Sequence, residues 1–377
     1  MPAAPPALLQ VLPALRSGGV ERGTLEIAEA QIAAGFRAIV ASAGGEMVPA
    51  LEALGAEHVT LPLTAKSPFA IWRNAAALAA VARAEGVALI HARSRAPAWS
   101  ALIAARRLSL PFVTTYHGAY NEGFPGKRFY NSVMARGDRV IAISHFIADL
   151  IRTRHGVAAA KLRVIPRGVD PRRFDPALVG AERLEGLRTS WGLPEGCPII
   201  MLPARVTRWK GQMVLVEAMA RLPGESLALL VGDSEDRPAF KAELLARIAS
   251  HVLQGRVRLV GHANDMPAAL MLADVVIHAS TDAEAFGRTV VEAQAMARAV
   301  IASDLGAPRE TVAEGITGWR IPPGDAAALA DAIGKALALA SAERAALGAR
   351  ARAAVLSGYT TEAMQAATMA VYRELIG

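Results

Sequence analysis

Short apolar runs rich in β-branched residues alternate along the chain with longer Ala-, Leu- and Arg-rich segments of helical period. This pattern is typical of βαβ units, in which helices join parallel strands. In the first half it predicts strands at Leu8–Leu12, Ala38–Ala41, Val59–Leu63, Ala88–His91, Phe112–Tyr116, Val140–Ser144 and Arg163–Ile165. In the second half it predicts strands at Ile199–Pro203, Leu227–Val231, Val257–Val260, Val275–Ala279, Ala299–Ala302 and Trp319–Ile321. We therefore expect an α/β protein with two facing Rossmann-like domains, each built on a doubly wound parallel sheet.

The segment from Pro166 to Pro176 contains three prolines, interrupts the periodicity and marks a domain boundary. A chain of 377 residues is also long for a single hydrophobic core. We expect one domain at 1–168, a second at 169–355, and a C-terminal helix at 356–377 that returns to the first domain. Doubly wound sheets bind ligands beyond the carboxyl ends of their strands, so we expect a site between the two domains.

The composition limits the compartment and the chemistry. Cys197 is the only cysteine, which excludes an intramolecular disulfide framework and a cysteine-rich metal site. Residues 1–10 have no Lys or Arg ahead of their apolar residues, unlike a signal peptide. No apolar run reaches the roughly 18 to 20 residues that a membrane span needs. We therefore expect a cytoplasmic protein.

The net charge of +7 is unevenly distributed. Residues 1–173 carry 21 basic and 11 acidic side chains, whereas the remaining residues carry 20 basic and 23 acidic side chains. The whole positive excess therefore lies in the first half of the chain. Such an excess is suited to an anionic lipid surface, a phosphorylated acceptor or nucleic acid.

The most informative segment, STDAEAFGRTVVEA, follows the predicted strand that ends at residue 279. Backbone amides of Phe286, Gly287 and Arg288, at the start of a helix, form a pocket for phosphate. Glu284 and Glu292 lie on either side of this pocket, with seven residues between them. Because carboxylates accept hydrogen bonds from sugar and ribose hydroxyls, the segment predicts a site for a nucleotide diphosphate sugar.

Two cations follow the predicted strand Ile199–Pro203. Arg205 offers a planar fork of donors and Lys210 a point charge, a combination suited to a diphosphate. Such charges stabilise a leaving diphosphate as a glycosyl bond breaks. Taken alone, the two residues also fit solvated surface charge.

The first domain contributes two further candidates. Gly18 and Gly19 form a flexible, amide-rich turn between its first strand and first helix. His117 lies at the end of a strand and is expected to face the crevice between the domains. Taken alone, the turn fits a tight turn without a ligand, and His117 fits a hydrogen-bonded structural histidine.

The acceptor is predicted only from the distribution of basic and aromatic side chains. The candidate acceptor or membrane residues are Arg93, Arg95, Lys127 and Arg128, with Arg106 and Arg107 as further cations and Phe124, Phe129 and Tyr130 as apolar contacts. The stretch around residues 120–130 fits an amphipathic membrane-surface element or a lid, and it fits a half-buried helix equally well.

These motifs, in this order and at this spacing, resemble the glycosyltransferase family 4 enzymes of GT-B architecture, and the resemblance covers nearly the whole chain. It rests on Gly18–Gly19, His117–Gly118, Ile165–Asp170, Arg205 with Lys210, and Glu284 with Glu292. The resemblance implies transfer of a sugar from a UDP- or GDP-sugar to a glycan or lipid-linked acceptor, of lipopolysaccharide type. It also implies retention of anomeric configuration without a metal or cofactor.

The resemblance implies a role for each site residue. Arg205 and Lys210 would contact the donor diphosphate, and His117 the reacting sugar. Glu284 would contact the sugar hydroxyls and Glu292 the ribose. The first domain would hold the acceptor and the second the donor.

Three positions depart from the usual family pattern. Ala285 and Ala204 stand where family members often have Gly, and we expect both to narrow the clearance for the donor. Arg167 stands where many members have Asn, and we expect it to alter only the linker turn.

Three other functions are compatible with parts of the sequence. A nucleotide-sugar 2-epimerase would share the phosphate-binding residues, but it needs acid and base groups beside the donor C2. A basic module that binds nucleic acid or membrane leaves the Glu284 and Glu292 pair unexplained, and no nucleic-acid recognition motif is present. A nicotinamide dehydrogenase would need G-x-G-x-x-G spacing, which the turn at Gly18 lacks.

Overall fold

The computed structural model describes residues 5–16, 18–224, 226–235 and 237–377. The chain divides into two units, one formed by Met1–Arg167 with Thr361–Gly377 and the other by Gly168–Thr360. Each unit has helices around a parallel sheet, which confirms the predicted α/β fold class. Within the described residues, no helix is both long enough and apolar enough to cross a membrane.

The first unit contains, in the described part of the chain, a sheet of seven parallel strands in the order β3-β2-β1-β4-β5-β6-β7. Its strands are β1 (Ala7–Val11), β2 (Arg37–Ser42), β3 (Glu57–Thr60), β4 (Val87–Ala92), β5 (Phe112–Tyr116), β6 (Arg139–Ala142) and β7 (Leu162–Val164). The second unit contains a six-stranded sheet in the order β10-β9-β8-β11-β12-β13 over the same described residues. Its strands are β8 (Ile199–Pro203), β9 (Leu227–Val231), β10 (Val257–Gly261), β11 (Val275–His278), β12 (Ala299–Ser303) and β13 (Trp319–Ile321).

Helices fill the crossovers between the strands. Those of the first unit before the boundary are α1 (Gly19–Ala33), α2 (Val48–Ala53), α3 (Pro68–Ala84), α4 (Arg95–Leu108), α5 (Lys127–Asn131) and α6 (His145–His155). Those of the second unit are α7 (Ala181–Ser190), α8 (Gln212–Met219), α9 (Pro238–Ser250), α10 (Met266–Leu272), α11 (Arg288–Ala295), α12 (Pro308–Thr311), α13 (Ala326–Ala338) and α14 (Ser341–Gly358). The last helix, α15 (Thr361–Ile376), belongs to the first unit.

Two strands end two or more residues earlier than predicted. The prediction of Val59–Leu63 is shifted, because β3 ends at Thr60 and its last ladder partner is Ser42. Pro62 has no N–H to continue the ladder. The strand predicted to reach Ser144 ends at Ala142, because the Ser144 hydroxyl accepts the Ile147 N–H and caps α6.

Helix α15 is held to the first sheet by a buried cluster and a hydrogen-bond chain. Its Met364 and Tyr372 pack against Leu8 and Leu89 of the sheet. The Tyr372 hydroxyl lies 2.6 Å from Nδ1 of His91, and Nε2 of His91 lies 2.7 Å from Oγ1 of Thr115. These hydrogen bonds therefore connect the C-terminal helix to strands β4 and β5 of the first sheet.

We predict that Tyr372→Phe lowers the free energy of unfolding by about 1–3 kcal/mol, because it leaves a buried ring nitrogen of His91 without its partner. Equilibrium urea unfolding measures the change. Tyr130→Phe is the control, since the Tyr130 hydroxyl has no hydrogen bond to any described residue. Equal stability of Tyr372→Phe and wild type would contradict a structural role for the contact.

Candidate functional site

In the second sheet, the order in which successive strands are added reverses between β8 and β11. From β8 the chain moves outward to β9 and β10, and then returns to place β11 on the other side of β8. The loops after β8 and β11 consequently diverge at the carboxyl edge of the sheet, where doubly wound folds bind ligands. The predicted residues Arg205 and Lys210 follow β8, and Glu284 follows β11.

Lys210 and Glu284 meet at this reversal. The Lys210 ammonium contacts Oε2 of Glu284, and the two side chains are only 16% and 17% exposed. The ammonium also lies 4.1 Å from the centroid of the Trp209 ring. The structure thus brings together a cation and a carboxylate that the sequence assigns to different parts of a donor.

The surroundings of Glu284 keep it ionised. Burial opposes its negative charge, but the ring of His278, with Nε2 at 3.4 Å, and the Lys210 ammonium together lower the pKa of Glu284 to about 2. An ionised carboxylate accepts hydrogen bonds and donates none. Glu284 is therefore suited to holding hydroxyl groups and not to donating a proton at neutral pH.

Two glycines that the sequence analysis missed fix the loops on either side of the pair. Gly211 has φ +82°, and a Cβ there would overlap the carbonyl oxygen of Ala279. Gly306 has φ +72°, and a Cβ there would overlap the backbone of Glu284. The Glu284 carbonyl accepts the Ala307 N–H at 3.0 Å. The only sequence signal was a glycine in each loop after a strand.

The predicted phosphate pocket opens helix α11. Gly287 precedes the helix with φ +82°, a conformation that glycine adopts without strain. The Phe286 ring is buried, 6.0 Å from the Tyr359 ring, so its side chain belongs to the core. Nε of Arg288 donates to Oε1 of Glu292 at 3.2 Å, which orients the Glu292 carboxylate from one helical turn away.

Arg205 combines a fixed backbone with an exposed side chain. Its carbonyl accepts Nε2 of Gln212 at 2.9 Å, and the neighbouring Val206 N–H donates to the Asp233 carbonyl at 2.9 Å. The Arg205 side chain itself is exposed to solvent. The loop therefore presents this guanidinium to solvent at the same sheet edge as Lys210.

In the first unit, His117 follows β5 and is held by Arg167. Nη2 of Arg167 donates to Nδ1 of His117 at 3.0 Å, and the His117 N–H donates to the Tyr120 hydroxyl at 3.4 Å. Burial lowers the pKa of His117 well below its usual value, and the charges of Arg167 and Arg93 lower it further. The expectation that Arg167 alters only the linker turn is therefore wrong, because its long side chain reaches the site.

Arg93 requires a second correction. The sequence predicts it as a contact to an acceptor or membrane, but it is only 3% exposed and donates from Nη1 to Oε1 of Gln10 at 3.1 Å. Gly23, inside helix α1, makes room for both guanidinium groups. A Cβ at Gly23 would overlap Nη1 of Arg167 and lie 3.0 Å from Nη2 of Arg93. In the sequence, a glycine within a helix is the only signal that Arg93 and Arg167 pack so closely against α1.

The turn at Gly18 and Gly19 stands after β1, and α1 begins at Gly19. Both glycines are exposed. A Cβ at Gly18 would overlap the carboxylate of Glu21, whereas a Cβ at Gly19 would meet nothing within 4 Å. The structure therefore places an acidic side chain beside the predicted donor turn.

The other predicted acceptor cations lie around helix α5. The Arg95 guanidinium lies 4.1 Å from the Tyr120 ring centroid and donates to Oδ1 of Asn131 at 2.8 Å, so it orders the loop between β5 and α5. Lys127 lies over the Phe124 ring, and Arg128 donates to the Arg154 carbonyl.

Two aromatic and two basic side chains of this region are exposed or partly exposed. Phe124 and Phe129 are 61% and 64% exposed, and Arg136 lies 5.2 Å from the Phe129 ring. Lys127 and Arg128 stand between the two phenylalanines in the chain. We call Phe124, Lys127, Arg128 and Phe129 the aromatic–basic surface.

Two family models match the chain, one for each part. Residues 17–173 match Glycosyltransferase Family 4, and residues 185–354 match Glycosyl transferases group 1. A D-inositol 3-phosphate glycosyltransferase from Xylanimonas cellulosilytica is 32% identical over 67% of this chain and 64% of its own length. This chain therefore spans less than two thirds of that curated relative.

Solved structures match over nearly the whole chain. A glycosyltransferase from Rickettsia africae is 36% identical, with a TM-score of 0.92 and 99% of both chains covered. HepE of Anabaena, crystallised with UDP and glucose, is 24% identical, with a TM-score of 0.86 and coverage of 98% of this chain and 100% of its own; this likeness concerns the fold. On the matches to both family models and to the Rickettsia enzyme, this chain belongs to the family 4 glycosyltransferases, which have the GT-B fold.

Proposed function

We propose that the protein transfers a sugar from a nucleotide diphosphate sugar to an acceptor hydroxyl, with retention of anomeric configuration and without a metal or cofactor. The observation that carries the proposal is the buried contact of Lys210 with Glu284 at the reversal of the second sheet. A fixed cation beside an ionised carboxylate serves the two halves of such a donor, its diphosphate and its sugar hydroxyls.

In the proposed complex, Arg205 and Lys210 bind the diphosphate and stabilise the charge that develops as the glycosyl bond breaks. Glu284 accepts hydrogen bonds from the sugar, Glu292 from the ribose, and amides of Gly287 and Arg288 face a phosphate. His117 remains the proposed contact to the transferred sugar, and Gly18 and Gly19 remain proposed donor contacts. Among the described residues, no three His, Cys, Asp or Glu side chains converge as metal ligands.

The ionisation of the site residues favours transfer over epimerisation. Removal of a proton from a sugar carbon needs a base whose pKa lies near the working pH. Glu284 has a pKa of about 2, and burial with neighbouring cations lowers the pKa of His117 well below its usual value. Neither group is suited to that step, whereas both can hold hydroxyl groups.

Arg205→Ala tests the diphosphate contact. We expect it to weaken binding of UDP or GDP about tenfold or more, since a hydrogen bond to a charged group contributes about 1.5–3 kcal/mol. Isothermal titration calorimetry measures the affinity. Arg208→Ala is the matched control, because Arg208 lies on the same loop but pairs with Glu243 at the surface. Unchanged affinity in Arg205→Ala would remove Arg205 from the donor site.

Glu284→Gln tests the role of the carboxylate. We expect turnover to fall on the order of 100-fold, because an ionised acceptor of sugar hydroxyls becomes a neutral amide at the reacting centre. Glu243→Gln, which changes a surface carboxylate, is the control. Since protonation of a group with a lowered pKa begins only near that pKa, Glu284 should impose no acid limb on the wild-type rate above about pH 4.

A covalent glycosyl adduct on Glu284, detected by mass spectrometry of the intact protein, would contradict this role. The ion pair with Lys210 makes the ionised carboxylate a poorer nucleophile. We therefore expect no adduct, and attack by the acceptor on the same face that the diphosphate leaves.

The acceptor is proposed to be anionic and held at a membrane surface on the cytoplasmic side, as a lipid-linked or lipopolysaccharide-type glycan. The first half of the chain carries the positive excess. The aromatic–basic surface adds exposed Phe124 and Phe129 to Lys127 and Arg128. The name of the Xylanimonas relative specifies a phosphorylated acceptor, inositol 3-phosphate, which also favours an anionic partner.

Liposome co-sedimentation tests this surface. We expect wild type to bind anionic vesicles at low salt. At about 1 M salt it should dissociate from them, because the Debye length is then about 3 Å and the charges are screened. The double variant Lys127→Glu/Arg128→Glu should lose binding, because each cation near the surface contributes about 1 kcal/mol. Arg221→Glu/Lys335→Glu, an exposed pair in the second unit, is the matched control. Failure of wild type to bind at low salt would favour a soluble acceptor.

A further inference from the structure

We infer that Arg167 is a positioning residue that fixes the His117 ring in its neutral form with the proton on Nε2. The inference rests on the proposed function, in which His117 contacts the transferred sugar. It adds a residue of this chain that stands where family members often have Asn, and it specifies what His117 offers a ligand: one N–H donor.

The tautomer follows from the chemistry of the contact. Nη2 of Arg167 lies 3.0 Å from Nδ1 of His117. A guanidinium has five N–H donors and no acceptor, so Nδ1 must supply the lone pair. The ring proton of a neutral His117 is therefore on Nε2.

The doubly protonated ring is disfavoured for two reasons. With protons on both nitrogens, the Nδ1–H would point at an N–H of Arg167 and the contact would be repulsive. Burial lowers the pKa of His117 most, and Arg167 next to it, Arg93 directly after β4 and His91 on β4 lower it further. Glu21 and Glu26, on helix α1, act on Arg93.

His117 lines a small cavity. Its Nε2 atom is buried and has no hydrogen-bond partner among the described residues. The cavity is also lined by Arg93, Thr115, Arg167, Met364 and Thr368, together with isoleucines of α1, of β6 and of the segments after β6 and β7. Its volume of about 10 Å³ is room for one oxygen atom with its hydrogens, that of a water or a hydroxyl group. A single water or hydroxyl oxygen in this cavity would be an acceptor for the Nε2–H.

The packing around Arg167 explains why it stays in place. Its side chain is 6% exposed and passes over Gly23 of α1, where a Cβ would overlap Nη1. Nη2 of Arg93 would lie 3.0 Å from the same Cβ. The Arg167 guanidinium therefore has little room to leave His117, and the arrangement depends on residues of α1 and of the segments after β4 and β7.

Nitrogen NMR of the full chain with ¹⁵N-labelled histidine tests the inference without an activity measurement. The chain has eight histidines, and His117→Asn identifies the His117 signals. In wild type we expect the Nε2–H tautomer to persist from about pH 8 to about pH 5, below the usual histidine pKa of about 6.5. In Arg167→Met we expect a mixture of tautomers and a pKa that rises toward the usual value.

The pH dependence of turnover provides a second measurement. In Arg167→Met, His117 gains a proton as the pH falls, so kcat should decline below about pH 6.5. Loss of the fixed ring position should lower kcat on the order of 10-fold to 100-fold, with a smaller change in KM. Arg167→Lys retains a cationic donor and should restore part of the rate. Gly23→Ala should resemble Arg167→Met, since its Cβ displaces the guanidinium, whereas Gly186→Ala, with open space around it in helix α7, should not.

Two outcomes overturn the inference: a wild-type His117 that titrates near about 6.5, or an Arg167→Met protein with an unchanged His117 tautomer and pH profile. Should Arg167→Met not fold, Gly23→Ala provides the same comparison. A wild-type tautomer as expected, combined with full activity of His117→Asn, would instead contradict the role of His117 in the proposed function and leave the positioning by Arg167 intact.

Discussion

The buried contact between Lys210 and Glu284 determines the state of the candidate donor site. Removing two charges from water is costly, and the cost is offset only when the partners meet in good geometry. That geometry depends on the loops after β8, β11 and β12, which approach so closely that Gly211 and Gly306 have no room for a side chain. The parallel strands bring the loops to one edge, and the glycines allow them to interlock. A cation and an ionised carboxylate therefore lie side by side at the candidate donor site.

The first unit holds buried positive charge next to an imidazole ring. Here two guanidinium groups, of Arg93 and Arg167, are buried beside His117, and Gly23 gives them space. Hydrogen bonds to Gln10 and to the His117 ring satisfy part of their donors. Positive charge held next to an imidazole favours its neutral form. The second unit thus keeps Glu284 ionised, and the first unit keeps His117 neutral. Neither side chain is therefore suited to act as an ordinary acid or base at neutral pH.

The sequence predicted most of the fold because the chain alternates so regularly between apolar runs and amphipathic segments. Strands such as β5 and β8 were predicted to the residue, since turn residues bound their apolar runs. The edge strand β3 was misplaced, because at an edge polar residues can replace the apolar pattern. Lys210 and Glu284 were found as candidates from their places after strands, but their contact joins residues 74 positions apart and has no local signal. The reach of Arg167 and the space at Gly23 likewise exist only in the packed structure.

The anomeric configuration of the first product tests the central claim most directly. The purified chain is incubated with UDP- and GDP-sugars, with water as the acceptor when no other is known, and proton NMR follows the anomeric signal of the sugar as it is released. The account predicts that one donor is consumed, that the first-formed sugar has the donor's anomeric configuration, and that Lys210→Ala abolishes the signal. An inverted first product, or consumption of a donor at the same rate by Lys210→Ala and wild type, would contradict it.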